Sequence, residues 1–185
     1  MLRVVALAAL ALLGGIAGGV VGYAAGAGEE TVTVTTTVEE AGSGATVSGL
    51  PAAVEETRAA LLEAAKAGDY DAVAALAAPG FRYTFGDPVE GGPAAYWREL
   101  ERKGDARPLE TLATILELPY VLSRGYYTWP WAYTVADAGD LSQHERALLA
   151  PLGGVDTLFA PGTGYLGWRT GIAPDGSWIY YVAGD

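Results

Sequence analysis

Residues 4–27 carry no charge and read VVALAALALLGGIAGGVVGYAAGA. A helix of about 22 residues rises roughly 33 Å, enough to cross the hydrocarbon core of a bilayer. A chain with such a run places it in a membrane, loses it during export, or buries it in a protein core. Arg3 precedes the run, and Glu29 and Glu30 follow it. The positive-inside rule then predicts a single-pass membrane protein with its N-terminus cytoplasmic and its C-terminal domain extracytoplasmic. Ala25-Gly26-Ala27 also fits a small-x-small cleavage site. In that reading residues 1–27 are a signal peptide and the rest is secreted. The apolar run exceeds the roughly 7–15 residues usual for a signal peptide, which favours the uncleaved anchor. Gly14, Gly18, Gly22 and Gly26 recur every four residues, beside a second row of Ala11, Gly15 and Gly19. Rows of this kind make a smooth helix face for close packing of membrane helices, so self-association through this face is an expectation. An Ala/Gly-rich chain also produces such rows by chance.

Residues 28–49 change character. Thr31 to Val38 alternate β-branched residues, then come Glu39, Glu40 and a Gly/Ser stretch. The alternation suits a strand. Its lack of bulky hydrophobes and its linker-like flanks suit an extended stalk. The folded domain is expected over residues 50–185.

The chain's net charge is −11, with only two lysines, Lys66 and Lys103. A surface this acidic repels phosphate backbones, which argues against nucleic acid as a partner. There are no cysteines, so disulfides, thiol catalysis and Cys-ligated metals are excluded.

Within the domain, Val54, Leu61, Leu62 and Ala65 form the apolar face of a helix that starts near Pro51 and stops at Gly68. Asp69 suits the N-cap of a second, short helix bearing Tyr70, Val73 and Leu76, which Pro79-Gly80 is expected to end. Phe81 to Phe85 alternate as a strand. The run AAKAGDYDAVAALAAPGFRYTF resembles the opening of the nuclear-transport-factor-2-like superfamily. In that cone-shaped α+β fold a long helix ends at a Gly-Asp turn, and a short helix and a strand follow. The resemblance covers residues 51–85, with Leu76 and Phe81 at core positions. The ending GWRTGIAPDGSWIYYVAGD is similar to the closing hairpin of such domains. It also resembles bacterial exported proteins ending in DG-x-W…VAGD, for which no activity carries over. The resemblance implies helices packed on a curved antiparallel sheet.

Further helices are expected over residues 92–103 and 108–118, the latter ended by Pro119. Another runs from a cap at Asp140 and Gln143 to Pro151. An aromatic strand is expected over residues 125–134, on an edge or bulge because of Pro130. Strands 165–173 and 177–183 flank a Pro174-Asp175-Gly176 turn. The sum is an α+β domain with an antiparallel sheet of about four strands.

Chemistry is sparse. His144 is the only histidine, and Leu141, His144 and Leu148 share a helical face, which points the imidazole inward. None of the five serines stands in a nucleophile-elbow context. No metal and no cofactor is expected. Gly162 to Gly167 match GxGxxG, but a strand pattern follows where dinucleotide binding needs a helix.

The aromatic residues are more informative. On one strand Tyr127, Trp129, Trp131 and Tyr133 would share a face, as core or as a ligand platform. Arg82, Arg124 or Arg169 would stand at its rim. Asp87, Glu90 and Asp156 are carboxylates without an evident acid–base partner. The candidate binding set is therefore Tyr127, Trp129, Trp131, Tyr133, Arg82 and His144. Two functions are expected. One is a membrane-anchored, non-enzymatic domain that binds a small ligand or a protein partner. The alternative is an enzyme of the cone-shaped superfamily, acting through a carboxylate or His144 in an aromatic-lined cavity. A filled cone would favour the first.

Overall fold

The computed structural model of the chain describes residues 49–184. The expected membrane segment, with Gly14, Gly18, Gly22 and Gly26, lies outside the described residues, as does the stalk up to residue 48. Among the described residues no helix is long and apolar enough to cross a membrane.

Local signals set the helices. The Pro51 carbonyl accepts from the Glu55 N–H at 3.0 Å and opens α1, Ala52–Lys66. Its apolar stripe buries Val54, Leu61 and Ala65. Gly68, at φ +70°, takes the left-handed turn that ends it. Asp69 then accepts from the Asp71 and Ala72 N–H groups and caps α2, Tyr70–Ala75. Two longer helices follow the first strand, α3 (Gly92–Lys103) and α4 (Pro108–Leu116). The latter stops two residues short of the sequence expectation. Helix α5 (Gln143–Leu149) has a full capping box between Ser142 and Glu145, so the cap is Ser142 and not Asp140. A single turn, α6 (Val155–Leu158), completes the set.

The strands are β1 (Ala77–Arg82), β2 (Val121–Ser123), β3 (Tyr126–Trp129), β4 (Phe159–Ala160), β5 (Gly164–Tyr165), β6 (Trp168–Ile172) and β7 (Trp178–Ala183). Five of them form one sheet in the order β1-β7-β6-β3-β2, while β4 and β5 pair separately. The chain is thus α+β, a curved sheet with helices. The sheet is not wholly antiparallel, because β1 runs parallel to β7. It also has five strands rather than four. Pro79-Gly80 lies inside β1, which begins at Ala77 and ends at Arg82. Only β7 pairs with β1, and a proline is tolerated on such an edge.

The aromatic strand is shorter than expected. It ends at Trp129, and residues Trp131–Thr134 form a 3₁₀ turn. Strand β3 is interior, between β6 and β2, and not an edge. Pro130 lies just beyond its end, where no ladder donor is needed.

A bulge in β7 sorts the closing aromatics. Ile172 pairs with Trp178 and Gly171 with Tyr180, so Ile179 is an extra residue. Trp178 and Tyr180 would share a face in a regular strand. The bulge instead turns Trp178 and Tyr181 towards the helices and Tyr180 away from them. The helix side holds the main core, with Leu61 of α1, Trp97 of α3 and Leu112 and Ile115 of α4 against Trp129, Ile172, Trp178 and Tyr181. A second cluster joins Trp131, Val135, Leu141, Leu149, Leu158 and Tyr165. Leu152 packs against both.

Candidate functional site

The residues expected to form one platform are dispersed. Trp129 and Trp131 are 1% and 0% exposed and belong to different core clusters. Tyr127 is half-buried against Tyr120, with ring centroids 5.7 Å apart. Tyr133 is half-buried in the 3₁₀ turn and faces Arg169. Arg82 ends β1 and is exposed. His144 is exposed on α5, whereas Leu141 and Leu149 take the buried positions, so the inward imidazole is overturned. Its helix is anchored by those leucines, and the capping box sets its phase.

The space between sheet and helices is occupied by rings. Trp97 packs 6.0 Å from Trp178 and 5.7 Å from Tyr181, and Phe81 lies 4.3 Å from Trp178. Polar atoms there are largely matched. The Trp178 indole N–H donates to Thr170 Oγ1 at 2.6 Å, and that hydroxyl donates to the Tyr180 carbonyl at 2.8 Å. The Tyr181 hydroxyl donates to the Pro108 carbonyl at 2.6 Å. Burial holds the Tyr181 phenol well above its ordinary value. The Trp97 Nε1 alone is buried without a hydrogen-bond partner among the described residues.

The other face of the sheet is different. Thr128, Gly171, Tyr180 and Arg82 stand in one row across β3, β6, β7 and β1. A Cβ at Gly171 would lie 2.3 Å from the Tyr180 ring, so only glycine lets that ring lie flat across β6. The Tyr180 hydroxyl meets the Thr128 hydroxyl at 2.7 Å, and Tyr126 meets the Tyr180 ring edge-on at 6.2 Å. Burial raises the Tyr180 phenol, while the Thr128 hydrogen bond works against this. Two residues along β6, Arg169 lies between two rings. Its guanidinium is 5.0 Å from the Tyr133 centroid and 5.6 Å from that of Phe85. One of its nitrogens donates to the Gly184 carbonyl at 2.5 Å. Phe85 is 50% exposed, a large value for a ring that size. Arg82 and Phe85 also border an open hollow of ≈ 260 Å³ with Tyr83, Thr84 and Pro88.

The charges follow a pattern. Arg58, Lys66, Arg98, Arg102, Lys103 and Arg107 each sit against a carboxylate. Arg146 donates to the carbonyls of Leu141 and Ala138. Arg82, Arg124 and Arg169 have no carboxylate within ion-pair distance among the described residues. Arg82 and Arg169 are both on the outer face, and Arg124 is in the β2–β3 turn, at φ +52°.

A second open hollow, of ≈ 320 Å³, lies between Asp137 and Asp156 beside Phe159 and Pro161. The Asp137 side chain is already committed to the Gly139 N–H at 2.6 Å. Among the described residues no group of three His, Asp or Glu side chains is placed to hold a metal ion. The GxGxxG match is strand and turn, since Gly164-Tyr165 is β5. Asp87 and Glu90 are exposed in the segment between β1 and α3.

Sequence reasoning named Arg82, Arg169 and Tyr133 but missed Phe85, Tyr126 and Tyr180 as their neighbours. A glycine inside a strand signals close approach of another group, and Gly171 carried that signal for Tyr180. Comparisons with family models, curated proteins and solved structures found no match.

Proposed function

We propose that this chain is a membrane-anchored, extracytoplasmic binding domain without catalytic activity, which recognises a small ligand or a protein partner through the outer face of its five-stranded sheet. The observation that carries this reading is the contrast between the two faces. Trp97, Trp129, Trp178 and Tyr181 fill the helix side, where a cone-shaped enzyme would keep its cavity. The outer side presents aromatic rings and two arginines that no described carboxylate neutralises. The long helix ending at Gly68-Asp69, the short α2 and the strand β1 support a nuclear-transport-factor-2-like origin. The uncharged residues 4–27 after Arg3 support tethering with the domain outside.

The test uses the full chain in its own membrane. Protease added to intact cells should remove the domain and leave the anchor in the membrane fraction. The detergent-extracted chain should retain an envelope component that a Phe85→Ser/Arg169→Gln variant of equal thermal stability releases. Protection of the domain from external protease would overturn the location. Equal retention by parent and variant would overturn the face.

A further inference from the structure

We propose that the outer face binds an acidic sugar chain, a glycan carrying one carboxylate per ring or fewer, with Arg82 and Arg169 as the two carboxylate contacts. This inference rests on the binding reading given above and specifies its ligand. The first observation is the alternation Arg82, Phe85, Arg169, Tyr133. Arg82 and Phe85 share the open hollow, Phe85 stacks on Arg169, and Arg169 stacks on Tyr133. An arginine already held against two rings has little freedom left for binding to remove. Among the described residues its one hydrogen bond is to Gly184, which leaves donors for a carboxylate.

Spacing argues for a ligand with more than one anionic group. Arg82 and Arg169 stand two strands and one face-repeat apart, so their Cα atoms are separated by roughly 12 Å. A single carboxylate engages one of them. An extended chain with an acid on separate rings engages both. The open hollow beside Arg82, of ≈ 260 Å³, has room for a small ring. Its aromatic wall at Phe85 and the Tyr133 and Tyr126 faces nearby offer apolar surface with polar edges, which suits a sugar's apolar C–H face and hydroxyl rim.

The experiment measures calorimetric binding to the full chain in detergent micelles. The probes are a galacturonic-acid oligomer, a neutral galactose oligomer of equal length, and an oligoglutamate of equal charge. The galacturonate oligomer should bind, and binding should weaken as salt rises. The neutral oligomer should not bind. Arg169→Gln and Arg82→Gln should each weaken the galacturonate complex about tenfold or more, the size of a lost charge-assisted contact. Lys66→Gln should leave it unchanged. Arg82 has no described side-chain hydrogen bond, so its variant reports on binding even if Arg169→Gln disturbs folding. Equal affinity for the neutral oligomer, equal affinity for oligoglutamate, no binding of galacturonate, or indifference to both arginine variants would each overturn the inference. An envelope component that is still retained through Phe85, but without need of either arginine, would leave the binding reading standing and remove only the acidic sugar.

Discussion

Trp129 and Trp131 are two residues apart and serve different clusters, because the chain leaves β3 at Pro130 and enters a 3₁₀ turn. Each is almost fully buried. Cutting either to Ala should therefore cost about 3–5 kcal/mol, read as a lower urea midpoint. Midpoints within error of the parent for both would contradict the packing. Gly171 makes the opposite argument, since it fails by addition rather than by loss. A methyl there meets the Tyr180 ring at 2.3 Å, so Gly171→Ala should cost about 1–3 kcal/mol and alter the near-ultraviolet circular dichroism. The partner variant tests the cause. In a double-mutant cycle Tyr180→Ala should suppress most of the Gly171→Ala penalty, because the clash needs both side chains. Strict additivity would show that the glycine matters for some other reason.

Helices were the legible elements, because their signals are local. Asp69 as a cap, Gly68 as a stop and α3 over residues 92–103 follow from a few adjacent residues. Asp140 and Gln143 imitate the capping-box pattern two residues before the true α5 cap. The side chain that receives the N3 amide is Ser142, and Glu145 returns the bond to the Ser142 N–H at 2.8 Å. Ser142→Ala should destabilise the protein by about 1 kcal/mol, and Asp140→Ala should have little effect on thermal melting. The reverse order would restore the sequence assignment. Strands were less legible because pairing is long-range. Pro79-Gly80 reads as a helix stop, yet β1 tolerates it as an edge strand on β7, nearly a hundred residues away in sequence. Alternation through Pro130 placed four rings on one strand face, although the strand ends at Trp129. The bulge at Ile179 leaves no mark in the residue pattern, and it decides which closing rings face the helices. The candidate face was visible in part for the same reason. Arg82, Arg169 and Tyr133 stood out singly as charge and ring, while the row that joins Arg82 to Tyr180 and Gly171 exists only once β1 pairs with β7.

At the scale of the whole molecule, three tyrosines, Tyr165 and Tyr181 buried and Tyr180 half-buried, report on three different places. Tyr181 lies in the main core, Tyr165 in the second cluster and Tyr180 on the outer face. Burial raises all three phenols above the ordinary value of 10.0. A phenol is neutral while protonated, so each folded ring keeps its proton at a pH where the unfolded chain has released it. The resulting stability is fully present below about pH 10 and is lost as the pH rises above it. The urea midpoint should therefore be unchanged by this source between about pH 7 and about pH 9, and should fall steeply beyond about pH 10. The late part of the tyrosinate absorbance should coincide with the loss of far-ultraviolet circular dichroism, because these rings ionise only when the protein opens. Leu152 packs against both clusters, which predicts one late step rather than two. Tyr165→Phe separates the cases. It should shrink that single step if the clusters unfold together, and abolish a distinct earlier step if the second cluster opens alone. Full ionisation of every tyrosine with the circular dichroism still native would contradict the burial of Tyr165 and Tyr181.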